Sequence, residues 1–218
     1  MAQVLDFTED AELTGVDPML SLCMIVRDEE RNLYRYLPGL LGVADEIVVV
    51  DTGSRDGSRL AAAEMGARVI EMTWRDDFSE ARNLGLAHAT QPWILILDAD
   101  ETLSESHFPL LRLLVSGEPR HAYRFVTRHY VTTSEHVLRW NPCHRQSPDE
   151  NSAAGWYPGL QTRLFPNRPE VRFRYNVCER IEPGLREAGI PIHAAGAVGP
   201  QLRRAGAGGA AGAAQRLF

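Results

Sequence analysis

The sequence predicts an α/β fold with a mainly parallel central sheet flanked by helices. Three observations carry this prediction. Short, unbroken apolar runs such as IVVV and WILIL recur between residues 20 and 97, as strands covered on both faces require. Stretches of helical spacing separate these runs. Acidic and glycine-rich residues follow the runs directly, at Asp28 and Glu29, at residues 51–57 and at residues 98–101. That is where open α/β sheets hold ligands, beyond the carboxyl ends of their strands.

Residues 20–26 (LSLCMIV) give the first strand, which runs into Arg27, Asp28, Glu29 and Glu30. Leu33, Tyr36, Leu37 and Leu40 predict a helix over 32–41, made imperfect by Pro38. Residues 46–50 are a β-branched strand ending at Asp51, and residues 52–58 (TGSRDGS) are turn chemistry. The alanine-rich stretch 58–65 is a helix stopped by Gly66. Residues 67–72 read as a third strand. Residues 78–88 read as a helix capped by Asp77 or Ser79, and 93–97 as a fourth strand ending at Asp98-Ala99-Asp100. Alternation of this kind builds right-handed βαβ units. After Pro109 the pattern weakens. Residues 122–127 and 162–165 read as strands around a long polar loop, 140–159, of the kind that shapes substrate sites. Residues 1–18 read as a leader, and 19–199 as one domain divided near residue 115. The Ala/Gly-rich stretch 200–218 reads as a flexible tail.

Composition narrows the function. A net charge of −6 argues against a nucleic-acid binder. The three cysteines form no CxxC pair, so neither a zinc ribbon nor a disulfide framework is indicated, and Cys23 in its apolar run reads as a core residue. No apolar run reaches the length of a membrane span. The first residues lack the basic and apolar regions of a secretion signal. The expected compartment is the cytoplasm, or the periphery of a membrane.

Asp98 and Asp100, two carboxylates at i and i+2 just past a buried strand, are the sharpest feature. Facing one cleft, they would repel unless a cation bridged them. Hard oxygen ligands suit Mg2+ or Mn2+, which share their coordination between a few carboxylates and substrate phosphates. The bland alternative is that Asp98 caps the following helix while Asp100 and Glu101 are solvated. Asp51 at the end of its strand can accept from a base or ribose, or close an Asx turn, and the two roles are compatible. Arg82 suits either a phosphate or a surface salt bridge with Glu80 or Asp77.

Four segments, SLCMIVRDEERNL, EIVVVDTGSRDGS, DDFSEARNLGLAHA and WILILDADE, in this order, resemble the nucleotide-binding half of glycosyltransferase family 2 over roughly residues 20–115. The closest branch is that of the lipopolysaccharide core glucosyltransferases and peptide S-glycosyltransferases. The resemblance implies a GT-A (nucleotide-diphospho-sugar transferase) fold. It implies that Asp51 contacts the nucleoside, that Arg82, Asn83 and Glu29 border the nucleotide, that Asp98 lies near ribose and metal, and that Asp100 binds the metal. In RYNVCERIEP, Cys178 stands where that branch has a histidine, while Glu179 keeps the acid and is the expected catalytic base. His193 in IPIHAAG is the expected further metal ligand. The alternatives are a surface pairing of Glu179 with Arg180, and a loop histidine at 193.

The reading is a metal-dependent, inverting hexosyltransferase. It uses a nucleotide-sugar donor, with a UDP-sugar first in line, and a glycan, lipid-linked or peptide acceptor. A non-catalytic nucleotide-sugar binder and a nucleotidyltransferase are the rivals. No GxGxxG follows the first strand, so a dinucleotide site is not expected.

Overall fold

The computed structural model describes residues 20–131, 141–142, 153–194 and 201–204. Four strands, β1 (Leu20–Val26), β2 (Glu46–Asp51), β3 (Arg68–Glu71) and β4 (Trp93–Ile96), pair in parallel in the order β3-β2-β1-β4. Helices α1 (Glu30–Tyr36), α2 (Ser58–Glu64) and α3 (Phe78–His88) connect them. All four expected strands and two of the expected helices thus stand within a residue or so of where the pattern put them.

The first helix differs. It begins at Glu30 and gives way at Leu37 to a 3-10 turn through Leu40, with Pro38 near its start. Proline cannot donate to the helical ladder and collides with the preceding turn. Leu33, Tyr36, Leu37 and Leu40 are all buried even so, and the apolar stripe survives the change of helix type.

The second half comprises β5 (Glu101–Leu103), α4 (Phe108–Val115), β6 (Ala122–Val131), β7 (Asn141–Pro142), β8 (Gly155–Pro166), α5 (Glu182–Glu187), β9 (Ile192–Ala194) and β10 (Gln201–Arg204). It extends the sheet as β4-β8-β6-β10-β5, with β7 on β8 and β9 on β6. Strand β8 is antiparallel to both β4 and β6, and β5 is antiparallel to β10. The sheet is therefore parallel in its first half and mixed in its second.

Two expectations need correcting. The polar loop is shorter than expected, because residues 155–159 belong to β8 and 141–142 to β7. Of the expected tail, Gln201–Arg204 is a strand held between β6 and β5. Its composition carries no apolar stripe; open backbone groups on both neighbouring strands select it instead. The expected leader, residues 140 and 143–152 of the loop, and residues 200 and 205–218 of the tail lie outside the described residues.

The core lies in two layers, one on each face of the sheet. Leu22, Val49, Leu95 and Phe125 pack with Leu33 of α1 and Leu111 and Val115 of α4. Cys23, Val48, Ile94 and Phe165 pack with Leu86 of α3 and Leu185 of α5. Neighbouring residues such as Leu22 and Cys23 fall in opposite layers, as alternation along a strand requires. Each fully buried large side chain contributes about 1.5–3 kcal/mol. Among the described residues, no helix is long and apolar enough to cross a membrane.

Candidate functional site

The carboxyl ends of β1, β2 and β4 form one edge, and the residues beyond them are laced together. After β1, the Asp28 amide donates to Ser54 Oγ at 2.9 Å, and Asp28 Oδ1 accepts from the Arg55 amide at 2.7 Å. Asp28 takes a left-handed φ of 54° to do so. Glu29 is buried and heads α1. Its amide donates to Ser58 Oγ at 2.7 Å, and its carboxylate accepts from Asn32 at 2.6 Å. Glu30 accepts from the Gly57 amide at 3.0 Å. The loops after β1 and β2 thus brace each other.

Asp51 is completely buried at the end of β2. Its Oδ1 accepts from the amides of Gly53 (3.0 Å) and Ser54 (2.9 Å), which closes an Asx-type turn that needs the left-handed φ of 106° at Gly53. Its Oδ2 is buried with no hydrogen-bond partner among the described residues. Buried carboxylate oxygens are seldom left so.

Helix α3 starts at this edge, with Asp77 capping it by accepting from the Glu80 amide at 3.0 Å. One turn in, Arg82 is 5% exposed. It pairs through Nη2 with Asp98 Oδ1 and through Nε with Glu179 Oε1 at 3.3 Å. Burial by itself would pull the guanidinium down, but the carboxylates of Asp98 and Glu179 hold it above its ordinary value, and it stays charged. Its Nη1 is buried without a partner among the described residues. The surface pairings weighed for Arg82 do not form: Glu80 pairs with Arg75 instead.

Asn83 is spent on the backbone. Its amide donates to the Phe173 carbonyl at 3.0 Å and accepts from the Phe173 amide at 2.8 Å. Ser79 Oγ donates to the Tyr175 carbonyl at 2.6 Å, and the Phe78 amide donates to the Asn176 carbonyl at 2.9 Å. These bonds moor residues 173–176 to α3. Reciprocal backbone bonds between Arg174 and Arg180, 2.9 and 3.0 Å, close the loop that carries Glu179. Exposed Cys178 precedes Glu179 with a φ of 56°. Glu179 turns to Arg82 rather than to Arg180.

Beyond β4 the chain turns at Asp98, where the Glu101 amide donates to the Asp98 carbonyl at 3.0 Å. Ala99 is buried, whereas Asp98 and Asp100 are half-buried. Two carboxylates at i and i+2 are the kind of oxygen donors that Mg2+ or Mn2+ takes from a protein when phosphates complete the shell. Among the described residues, no three His, Cys, Asp or Glu side chains converge as metal ligands.

His193 does not join this group. It sits on β9 opposite Tyr123, exposed, with its ring 4.8 Å from that of His121. Tyr123 in turn lies 6.1 Å from Trp93 at the start of β4, so His193 stands at the amino end of the sheet. Asp98 is five residues further on, roughly 16 Å along the strand. The spacing of His193 in the sequence allowed a return to the metal; pairing of β9 with the start of β6 directs it away.

Two residues at the edge were not anticipated. Glu101 is completely buried, not solvated, and Arg163 of β8 is 5% exposed. They pair at 2.6 Å, with Arg163 Nη2 also 3.7 Å from Asp98 Oδ2. An arginine directly before the apolar pair Leu164-Phe165, inside an expected strand, was the available clue.

A family model, glycosyl transferase family 2, matches residues 21–170. A TPR repeat-containing protein of Synechococcus elongatus is 39% identical over 167 residues, 76% of this chain and 36% of that protein. The glycosyltransferase SunS of Bacillus subtilis is 28% identical over 120 residues, 49% of this chain and 28% of its own. The chain thus spans about a third of the length of these curated relatives. Among solved structures, the mannosyltransferase PcManGT of Pyrobaculum calidifontis, in complex with GDP-Man and Mn2+, is similar with a TM-score of 0.56 and 16% identity, over 88% of this chain and 58% of that one. TarS of S. aureus gives a TM-score of 0.54 at 11% identity, over 85% of this chain and 36% of that one. At these identities the likeness is one of fold, and the fold is GT-A-like. With the family model covering residues 21–170 and the sheet ending in the acidic edge described above, the chain belongs to glycosyl transferase family 2.

Proposed function

We propose that the chain transfers a hexose from a nucleotide diphosphate sugar, a UDP-sugar first, to an acceptor hydroxyl with inversion and with the help of Mn2+ or Mg2+. The observation that carries this reading is the shared arginine: Arg82 holds Asp98 and Glu179 against one buried guanidinium. In this reading the carboxylate that holds the ion and the carboxylate that acts as base share one arginine. Asp51 Oδ2 is the acceptor for a base N–H, with Glu29 and Arg82 bordering the nucleotide. Asn83 acts by mooring the Glu179 loop. Asp98 and Asp100 are the residues that hold the ion, which when bound supplies Lewis-acid neutralisation of the departing diphosphate. Glu179 takes the proton from the attacking hydroxyl on the opposite face. The Mn2+ and the nucleotide sugar bound to PcManGT support this choice of ion and donor class.

Calorimetry with UDP, in chelator and in Mn2+, tests the binding half. Binding should be much tighter with the ion than in chelator, and Asp100→Ala should abolish that gain. Equal affinity in both conditions would sink the metal assignment. Metal-dependent release of UDP from a panel of nucleotide sugars tests the catalytic half. Glu179→Gln should bind UDP as the parent does and lose about 100-fold or more in turnover, the usual contribution of a general base. Tight UDP–Mn2+ binding with no turnover on any donor would favour the non-catalytic binder.

A further inference from the structure

The geometry points to Arg163, acting through Glu101, as a positioning residue that fixes Asp98 for the ion before any donor arrives. This rests on the proposed metal role of Asp98. Glu101 Oε2 accepts from the Asp98 backbone amide at 3.0 Å, and Glu101 Oε1 accepts from Arg163 Nη2 at 2.6 Å. The same Nη2 lies 3.7 Å from Asp98 Oδ2. Asp98 Oδ1 meanwhile faces Arg82. The Asp98 amide is therefore held by Glu101, and its two carboxylate oxygens face two buried arginines, one on α3 and one on β8, the latter also donating to Gln161.

The backbone is shaped for this contact. Between Tyr123, paired with Leu164, and Arg124, paired with Thr162, the β6–β8 register slips by one residue. Arg163 is the extra residue. A β-bulge of this kind re-aims a side chain, and bulges gather next to active sites. Arg163 Nε is buried with no partner among the described residues, so packing alone does not account for a guanidinium here. Glu101 is completely buried and Arg163 is 5% exposed, which lets the pair act as a fixed strut between β5 and β8, at the turn that follows β4. Loss of the guanidinium would leave the Asp98 carboxylate to Arg82 alone, and the site would have to order it further when the ion binds.

The test uses the full chain with UDP and Mn2+ as probes. Arg163→Lys keeps a charge beside Glu101 but loses the planar group that fixes one nitrogen between Glu101, Gln161 and Asp98. The second variant, Arg163→Gln with Glu101→Gln, removes both charges at once, so that neither is left buried alone. Thermal melts report folding. Calorimetry reports Mn2+ affinity in saturating UDP, and UDP affinity in chelator. The expected result is a folded Arg163→Lys whose Mn2+ affinity falls tenfold or more, with its residual metal-free UDP affinity within twofold of the parent. A merely structural role would lower both together. Parent-like Mn2+ affinity in either folded variant overturns the strut. A parent that binds UDP equally with and without Mn2+ overturns the metal reading as well, and the two failures are thereby told apart.

Discussion

The two oxygens of Asp51 have different surroundings, and the difference sets what an amide in its place would do. Oδ1 closes the turn by accepting from two backbone amides, while Oδ2 is buried and unpartnered among the described residues. Asp51→Asn preserves shape and can keep the turn, but it sets a donor where a base N–H is expected. UDP affinity should fall by about 1–3 kcal/mol, the cost of a mismatched buried hydrogen bond, with little change in melting temperature. Calorimetry beside a thermal melt checks this; unchanged affinity would remove Asp51 from the nucleoside site. Cys23 gives a second expectation at this scale. Burial first, then the charge of Glu46, pushes its thiol from 9.0 up to about 12. Its contribution to stability is whole below pH 9, where the unfolded thiol is also protonated, and is lost as pH rises from there through about 12. Peptide mapping after alkylation at pH 8 should find Cys23 unmodified and exposed Cys178 modified. Asp51 was legible in the sequence because its position follows from a run of valines. Arg163 was not, because its aim depends on a bulge that no local pattern announces.

At the scale of elements, the segment carrying Glu179 has little secondary structure of its own and takes its shape from α3. Tyr175 and Cys178 both hold left-handed conformations, φ 74° and 56°, which non-glycine residues adopt only when neighbours enforce them. The enforcing contacts come from Phe78, Ser79 and Asn83. Asn83→Ala deletes two of them and leaves both groups of Phe173 to find water. Stability should drop by about 1–3 kcal/mol. Turnover should fall further than UDP affinity, because the loop bears the proposed base and not the nucleoside contacts. Steady-state kinetics beside calorimetry would show the split; equal losses in both would mean that the loop also shapes the nucleotide pocket. The helix itself was plain from residues 78–88, with Asp77 as its cap. The moored loop was not plain, since its partners lie about ninety residues away in sequence.

Across the whole molecule, the two halves of the sheet follow different logics. The first half, parallel and covered on both faces, writes itself into unbroken apolar runs and was readable strand by strand. The second half pairs antiparallel and parallel strands around β6, and pairing of that kind depends on partners rather than on a strand's own composition. Hence β10 was hidden in a stretch without an apolar stripe, and His193 was expected at the wrong end of the sheet. The site straddles the two halves: Asp51, Arg82 and Asp98 come from the first, Arg163 and Glu179 from the second.

The place of β10 also orders events in time. Gln201–Arg204 is wedged between β6 and β5, against residues 126–129 and 101–103. Those contacts close some of the longest loops in the chain, and contacts of such separation form late. During synthesis the chain emerges from its amino end, so β1 to β4 can collapse while β5 and the outer edge of β6 still wait for a strand that has yet to be made. Until it arrives, both present bare ladders of amides and carbonyls to any other extended chain. The nascent protein is thus born with its parallel half shaped and its sheet unsealed, and the interval before β10 docks is when misassembly is easiest.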